Sequence, residues 1–327
     1  MSSKLTQEKG AAWSQTGQPT LLGVSLVFLI LTNFAVPARI WAQRRAYKKV
    51  FSEDYLLIIA LLFTDVVTIT TLLATHYGFG LHLQRVDPEY QDWENLDKGF
   101  ICEWISAVGN ELSLGATQVA LLLYYRRLFM VNQRWLRVLW WFNFFFVLMW
   151  TVICTLFYIS ECTPMTYYWE QVNPHPNVKG LRCLNRRFDV IAVPLIVSVI
   201  SDFTIMLLPV LTVSTLSIKL SRNLALAAVF CAGMISFAFG LARVITEETS
   251  TSPSSDATSD IVSFQLLNVV ELNMAVICAC VVPVYAQLRL MISGSSKTNS
   301  SYKPESRGLE LRPMAIGKPE FSDDENK

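Results

Sequence analysis

The sequence predicts an all-α fold, a seven-helix transmembrane bundle with its N-terminus outside the cell and its C-terminus in the cytosol. Composition is the first observation: of 327 residues, 52% are hydrophobic and only 16% are charged, with a mean hydropathy of +0.38. A soluble protein is nearer to about one quarter charged. Apolar stretches of about 20 residues, long enough to cross a bilayer, also recur along the chain. The distribution of Lys and Arg between the loops gives the orientation.

The apolar stretches predict helices, because only helices and closed barrels satisfy their backbone in lipid and these runs are long and continuous. They lie in a membrane domain of residues 20–291, between a polar extracellular segment 1–19 and a polar cytosolic tail 292–327 that is too poor in apolar residues to fold. The seven predicted spans are residues 20–41, 54–75, 100–125, 137–159, 188–213, 223–245 and 260–285.

The second span is followed by HYGFGLH, residues 76–82, which contains two of the three histidines of the chain. Two histidines six residues apart suggest a metal site, but the turn has no cysteine and its nearest carboxylate is Asp87. Gly78 and Gly80 instead permit the backbone conformations that end a helix. We therefore predict a helix exit here, and neither a metal site nor a cofactor in the chain.

The loops give the orientation through their basic residues. Four Lys or Arg residues lie between positions 44 and 49, and four Arg lie between 126 and 137, whereas the loop after span two is mainly acidic. The basic loops are predicted to be cytosolic, although the loop 160–187, with four basic residues, disagrees. The net charge of +1 gives no case for a nucleic-acid partner.

Three of the seven cysteines, Cys102, Cys162 and Cys183, lie at or near the predicted outer face, where disulfides persist. Three cysteines allow three single bridges, and the sequence does not choose among them. We favour Cys162–Cys183, which would close the loop 160–187 into a lid, with Cys102–Cys183 as the alternative.

Ionisable residues inside the predicted spans are the candidate functional residues, because a charged group in lipid is costly. Four acids lie near mid-span without a Lys or Arg at similar depth, and burial prevents all four from remaining ionised. We predict that they face one polar cavity together with two asparagines, while Glu103 and Arg243 lie at its outer mouth. The predicted cavity residues are Asp65, Asn110, Glu111, Asp202, Asn268 and Glu271.

Several interpretations of these residues remain open. They can act as hydrogen-bonding contacts between helices, as a site for a small lipophilic or cationic ligand, or as a proton relay in a transporter. Together with the aromatic WWFNFFF segment of span four, they can also supply acid-catalysed cyclisation or isomerisation of a lipophilic metabolite. A retinal Schiff base requires a lysine in a span, and span seven has none.

The chain also resembles the fungal rhodopsin-like integral membrane domain, the Pth-eleven-like receptor group, over about residues 20–290. The resemblance depends on the order of EDYLLIIA (53–60), YGFGLH (77–82), LLLYYRRLF (121–129), CTPMTYYW (162–169), SDFTIMLLPV (201–210), FCAG (230–233) and ICACVVP (277–283). Two departures are Gln118, where many members have a lysine, and the lack of a cysteine-rich domain before span one.

The resemblance implies a multi-pass protein of the plasma membrane or endomembranes that contacts membrane lipids. Some family members resemble surface-sensing, G-protein-linked receptors, and others belong to secondary-metabolite biosynthetic gene sets. The primary hypothesis is therefore a receptor-like protein with a cytosolic signalling partner. The alternatives are a membrane-embedded component or enzyme of a fungal secondary-metabolite pathway, and a proton-coupled transporter.

Overall fold

A computed structural model describes residues 17–78, 93–129, 134–170, 182–183, 188–214, 233–235, 237–246 and 257–295. These residues are helical apart from short connections and one small two-stranded ladder. The elements are α1 (Gln18–Tyr47), α2 (Ser52–His76), α3 (Trp93–Phe129), α4 (Arg134–Ser160), β1 (Cys162–Thr163), α5 (Tyr167–Glu170), β2 (Arg182–Cys183), α6 (Phe188–Ser214), α7 (Gly233–Thr246) and α8 (Ala257–Ser295).

The predicted spans coincide with helices wherever the structure describes them. Six lie wholly inside helices, and the part of span 223–245 that is described lies in α7. Among the described residues, four helices are long and apolar enough to cross a membrane, and α6 and α7 contain shorter apolar stretches. The seven-span count and the orientation of the termini stay predictions. The four are Gln18–Tyr47, Ser52–His76, Arg134–Ser160 and Val262–Tyr285.

Helix α2 shows how local sequence sets the ends of an element. Asp54, in its first turn, accepts a hydrogen bond from the backbone N–H of Phe51 at 3.1 Å, which satisfies a donor that the helix itself leaves free. The helix ends at His76, and Gly78 follows with a φ of 103°, a conformation that favours glycine. The predicted helix exit is confirmed. His82 lies outside the described residues.

The helices differ in how much of their apolar surface is buried. In the most apolar part of α1 and of α4, 22% and 17% of the residues are buried, compared with 65% in the corresponding part of α8. Phe34 of α1 and Phe142 of α4 are 73% and 66% exposed. Large exposed apolar surfaces in a chain this hydrophobic fit contact with lipid. Helices α1 and α4 are therefore peripheral, and α8 is central.

Close helix contacts in membranes depend on small residues, and Gly115 of α3 is such a position. A Cβ atom placed on Gly115 would lie 2.2 Å from Oγ1 of Thr151 in α4. Any side chain there would have to separate the two helices. Trp140 of α4 adds a hydrogen bond from its indole N–H to the backbone oxygen of Leu122 at 2.8 Å.

The ladder lies beyond the end of α4 and brings two cysteines opposite each other. Strands β1 and β2 are antiparallel, and Cys162 is the register partner of Cys183. The alternative pairing with Cys102 is wrong for this structure, because Cys102 is a free, buried thiol. Cys162 belongs to one buried hydrophobic cluster with Ala74, Phe100, Cys102 and Tyr168.

Candidate functional site

The candidate site is a group of charged side chains on four helices, which we name the central acid cluster. It comprises one arginine and three acids that interact with one another electrostatically. Helices α3, α6, α7 and α8 contribute one charged residue each. The members are Glu111, Asp202, Arg243 and Glu271.

Arg243 and Glu271 form the ion pair of the cluster. Arg243 Nη1 lies 3.2 Å from Glu271 Oε2, and both side chains are 1% exposed. The same nitrogen donates to Oδ1 of Asn268, one turn earlier on α8, and the guanidinium lies 5.8 Å from the ring centroid of Phe264. The sequence placed Arg243 at an outer mouth, whereas the structure places it among the buried acids.

The other two acids have neutral hydrogen-bond donors. Gln118 donates through Nε2 to Oδ1 of Asp202 at 2.7 Å, and Asn110 donates weakly to Oε1 of Glu111 at 3.5 Å. Neither donor carries a positive charge, so Arg243 is the one positively charged side chain among the four members of the cluster. Within the described residues, no donor forms a hydrogen bond with Oε1 of Glu271 or with Oδ1 of Asn110.

Gly240 of α7 makes room for the Glu271 carboxylate. A Cβ atom on Gly240 would lie 2.8 Å from Oε1 of Glu271 and 3.1 Å from Cγ2 of Val199 in α6. A real Cβ would therefore displace the carboxylate or the valine. The glycine lets α7 approach α8 closely, three residues before it contributes Arg243.

Asp65 lies elsewhere. It accepts a hydrogen bond from Nδ2 of Asn33 in α1 at 2.8 Å and is partly exposed. Its neighbour Thr64 faces the interior, where its hydroxyl lies 2.7 Å from that of Ser113 in α3. Successive residues of a helix differ in direction by about 100°, as 3.6 residues per turn requires, so similar depth does not give a similar face. The structure separates Asp65 from the three other acids.

Glu103, predicted to lie with Arg243 at the outer mouth, contacts α8 instead. Gln265 of α8 donates through Nε2 to Oε2 of Glu103. The contact is an amide–carboxylate hydrogen bond between α3 and α8, whereas Arg243 pairs with Glu271.

Some intramembrane polar residues act as contacts between helices. Asn273 of α8 accepts from the hydroxyl of Thr32 in α1 at 2.7 Å, and its Nδ2 donates to the backbone oxygen of Val269 at 2.8 Å. All of these groups are buried. The interpretation of polar side chains as helix contacts therefore applies to this interface of α1 and α8.

A second charged group lies where α1 ends and α2 begins, and we name it the basic-end network. Arg39 lies 3.2 Å from Oδ1 of Asp54 through Nε, with side chains 1% and 0% exposed, and Gln43 donates to the same oxygen at 2.9 Å. Arg127 of α3 lies 2.6 Å from Oε1 of Glu53. The network comprises Arg39, Gln43, Glu53, Asp54 and Arg127.

Arg39 also binds α8 at a position that a proline leaves open. Pro283 has no N–H, so the backbone oxygen of Ala279, four residues earlier, loses its usual helical donor. Nη1 of Arg39 donates to that oxygen. One guanidinium therefore connects α1 to the first turn of α2 and to the interrupted part of α8.

Sequence reasoning did not select this network, although two signals pointed to it. Arg39 lies inside the predicted span 20–41, where an ionisable residue is costly and needs a partner. Pro283 lies at the end of span seven and frees a backbone oxygen. What the sequence did not give was the partners, because Ala279 of α8 lies 240 residues after Arg39 and the faces that α1 and α2 turn toward each other are set by tertiary packing.

A family model for the fungal rhodopsin domain matches residues 38–290, which include the central acid cluster and the basic-end network. The chain belongs to the fungal rhodopsin domain family. This confirms the family resemblance, and the several apolar helices agree with an integral membrane protein.

One curated relative of this fungal rhodopsin domain chain is a SAT4 family membrane protein from Emericella nidulans. The two are 24% identical over 264 residues, which cover 75% of this chain and 61% of the relative. The chain thus spans about three fifths of the length of the relative it matches. The match supports the family and membrane location, and it leaves activity and partners to be proposed.

Proposed function

We propose that this fungal rhodopsin domain chain is a receptor-like membrane protein whose signal acts on the central acid cluster. The observation that carries the proposal is that helices α3 and α8 contact both the central acid cluster and the basic-end network. Glu111 and Glu271 belong to the cluster, Arg127 belongs to the network, and the Ala279 carbonyl of α8 accepts from Arg39 of the network. A shift of either helix at the cluster changes the contacts at the basic end.

The arrangement suits a switch between two packings. Ion pairs in a packed interior have discrete partners, so small displacements are converted into an exchange of partners rather than a gradual deformation. A ligand shifts such an equilibrium only if it binds one packing better than the other. The basic end is the side that the sequence predicts to be cytosolic, where a signalling protein would bind.

A nucleotide-exchange assay tests the receptor proposal. The full chain in lipid nanodiscs is mixed with a panel of fungal heterotrimeric G proteins, and GTP-analogue uptake is measured at acidic and neutral pH. We expect uptake above that with empty nanodiscs for at least one G protein. Glu271→Gln should alter its pH response. Uptake equal to that of empty nanodiscs for every G protein would remove the receptor proposal.

The excess of acids over arginine favours a proton-coupled transporter as the second candidate. Three carboxyl groups around Arg243 suit a relay in which one proton moves between neighbours. Sealed vesicles containing the protein should then acidify in response to an imposed pH gradient faster than vesicles containing Glu271→Gln. Equal rates in the two preparations would exclude this candidate.

The arrangement gives less support to an acid-catalysed enzyme. That interpretation required the aromatic segment of span four to surround the acids. Phe142 and Phe145 are instead 66% and 57% exposed on α4, and Trp140 stacks on Phe144 with ring centroids 5.1 Å apart. Phe142 and Phe145 therefore lie on the exposed side of α4, while Trp140 packs against Phe144 and α3.

We also propose that Cys162 and Cys183 form a disulfide. Their opposite positions in the β1–β2 ladder and the free thiol of Cys102 support this pairing. Closing a loop of this length stabilises the folded state by about 3 kcal/mol in the chain-entropy model. Cys162→Ser and Cys183→Ser should lower the melting temperature equally, and the double variant no further. A larger loss from Cys102→Ser would contradict the pairing.

A further inference from the structure

An apolar groove lies between α6 and α7 and has a volume of about 320 Å³. That volume is near the lower end of small-molecule pockets, which span about 300–1,000 Å³. Every lining residue is apolar, and two of them, Ile200 and Leu241, are 54% and 44% exposed. The lining residues are Ile196, Val199, Ile200, Phe203, Phe237, Leu241 and Val244.

The groove adjoins the buried carboxylate of Glu271. Val199 lines the groove, and its Cγ2 lies 3.1 Å from the position that a Cβ on Gly240 would occupy. Oε1 of Glu271 lies 2.8 Å from the same position. Because glycine has no side chain, the apolar groove and the Glu271 carboxylate lie close together on either side of the α7 backbone at Gly240.

The free oxygen of Glu271 is the second feature of the site. The side chain is 1% exposed, its Oε2 faces Arg243 at 3.2 Å, and within the described residues Oε1 accepts no hydrogen bond. A buried acceptor without a donor is costly, by about 1–3 kcal/mol. A ligand that brings a donor would remove this cost.

The charges around the groove select the sign of that ligand. Glu111 and Asp202 interact electrostatically with Glu271, and Arg243 is the one cation of the cluster. An anion would meet three acidic side chains, and a neutral alcohol would add no charge to the single arginine that accompanies them. A cation with hydrogen-bond donors, such as a protonated amine, matches both the charge and the unfilled acceptor.

We infer that the α6–α7 groove takes up a lipophilic amine from the membrane, with its alkyl chain in the groove and its ammonium group on Glu271. This inference rests on the proposed receptor function, for which it names the ligand class. The amine enters from the side of the bundle, and Val199 turns aside as the ammonium passes Gly240. Its charge adds a second cation to the cluster and competes with Arg243 for Glu271.

Photo-labelling tests this inference. The probe is a dodecylamine with a diazirine in its alkyl chain, and dodecanol with the same diazirine is its uncharged match. The full chain in nanodiscs is irradiated with either probe, and labelled residues are mapped by mass spectrometry. We expect the amine to label mainly the groove residues of α6 and α7. The alcohol should spread its labels over the exposed residues of α1 and α4 too, as a bulk lipid would.

Two pairs of variants sharpen the test. Gly240→Ala pushes a methyl group toward Glu271, whereas Gly23→Ala in α1 is its control, because a Cβ there meets nothing within 4 Å. Ile200→Trp fills the groove from its exposed side. This change leaves the close approach of α7 and α8 at Gly240 unaltered. Val193→Trp, at a 51% exposed position of α6 outside the groove lining, is its control.

Glu271→Gln, Gly240→Ala and Ile200→Trp should each weaken specific amine labelling by at least about tenfold, the effect of losing a charge pair or the volume for the chain. Neither control should change it. Equal labelling by amine and alcohol, or labelling unaffected by Glu271→Gln and Ile200→Trp, would overturn the inference. Groove labelling without nucleotide exchange would contradict only the proposed receptor function. Nucleotide exchange without groove labelling would contradict only the amine as the ligand class.

Discussion

The central acid cluster and the basic-end network are both charged and largely buried, yet their charges balance differently. The network sets Arg39 and Arg127 against two acids, and each arginine has an acid within 3.2 Å. The cluster sets Arg243 alone against three acids. A balanced buried network resembles a structural contact between helices, whereas an unbalanced one needs a proton or a ligand to complete it.

Asp54 of the network and Glu271 of the cluster also differ in how completely they are bound. Asp54 accepts from Arg39, Gln43 and the backbone N–H of Phe51. Glu271 has one arginine near one oxygen, and within the described residues its other oxygen accepts nothing. Full occupancy indicates a stabilising role for Asp54, and the open acceptor indicates a binding role for Glu271.

The largest effect is expected at the network. Asp54→Leu leaves Arg39 buried without its acid and should lower the free energy of unfolding by about 3–5 kcal/mol. Denaturant titration in mixed micelles measures this quantity. Asp54→Asn keeps acceptor oxygen for Phe51 and Gln43 and should cost less. If Asp54→Leu cost no more than a typical point variant, about 1 kcal/mol, the network would not be the stabilising group.

Glu271→Leu should lower the free energy of unfolding less, by about 1–3 kcal/mol, because Glu111, Asp202 and Asn268 remain near Arg243. Glu271→Gln keeps the shape of the side chain and leaves an oxygen beside Arg243, so it should be close to wild type in the same titration, while the response of the protein to protons or ligand is lost. A fully functional Glu271→Gln protein would show that the cluster, too, is structural.

A smaller effect is expected at Arg126, next to the network in sequence but outside it. Its guanidinium lies 5.0 Å and 5.6 Å from the rings of Trp140 and Trp141, on an exposed surface. Arg126→Gln should therefore cost about 0.5–1 kcal/mol, the usual size of an exposed cation–π contact. Thermal unfolding of this variant beside Asp54→Leu compares them directly, and an equal loss would extend the network to Arg126.

The smallest effect is expected at Asp65, the acid that lies outside both groups. Asn33 donates to Asp65 and also to the backbone oxygen of Leu29, so it keeps a partner when Asp65 is replaced. Asp65→Leu should change the free energy of unfolding by about 0.5 kcal/mol or less, as surface substitutions do. A loss of signalling or amine labelling in this variant would return Asp65 to the functional site.

The sequence determined the helices and much of where they end. Apolar length and backbone hydrogen bonding are properties of consecutive residues, so the predicted spans fall on helices wherever they are described. Gly78 follows the end of α2 with a positive φ, as the glycines of HYGFGLH predicted. Membership in the fungal rhodopsin family also followed from the order of short motifs, and the family match over 38–290 confirms it.

Only the tertiary structure decided which polar residues meet. Arg243 pairs with Glu271, Asp65 turns toward α1, and Arg39 reaches the Ala279 carbonyl that Pro283 leaves free. These partners depend on the rotation of each helix about its axis and on the order in which helices pack. The sequence gives the membrane depth of a residue, but depth determines neither helix rotation nor packing order. Two residues at nearly the same depth on a helix can point in different directions.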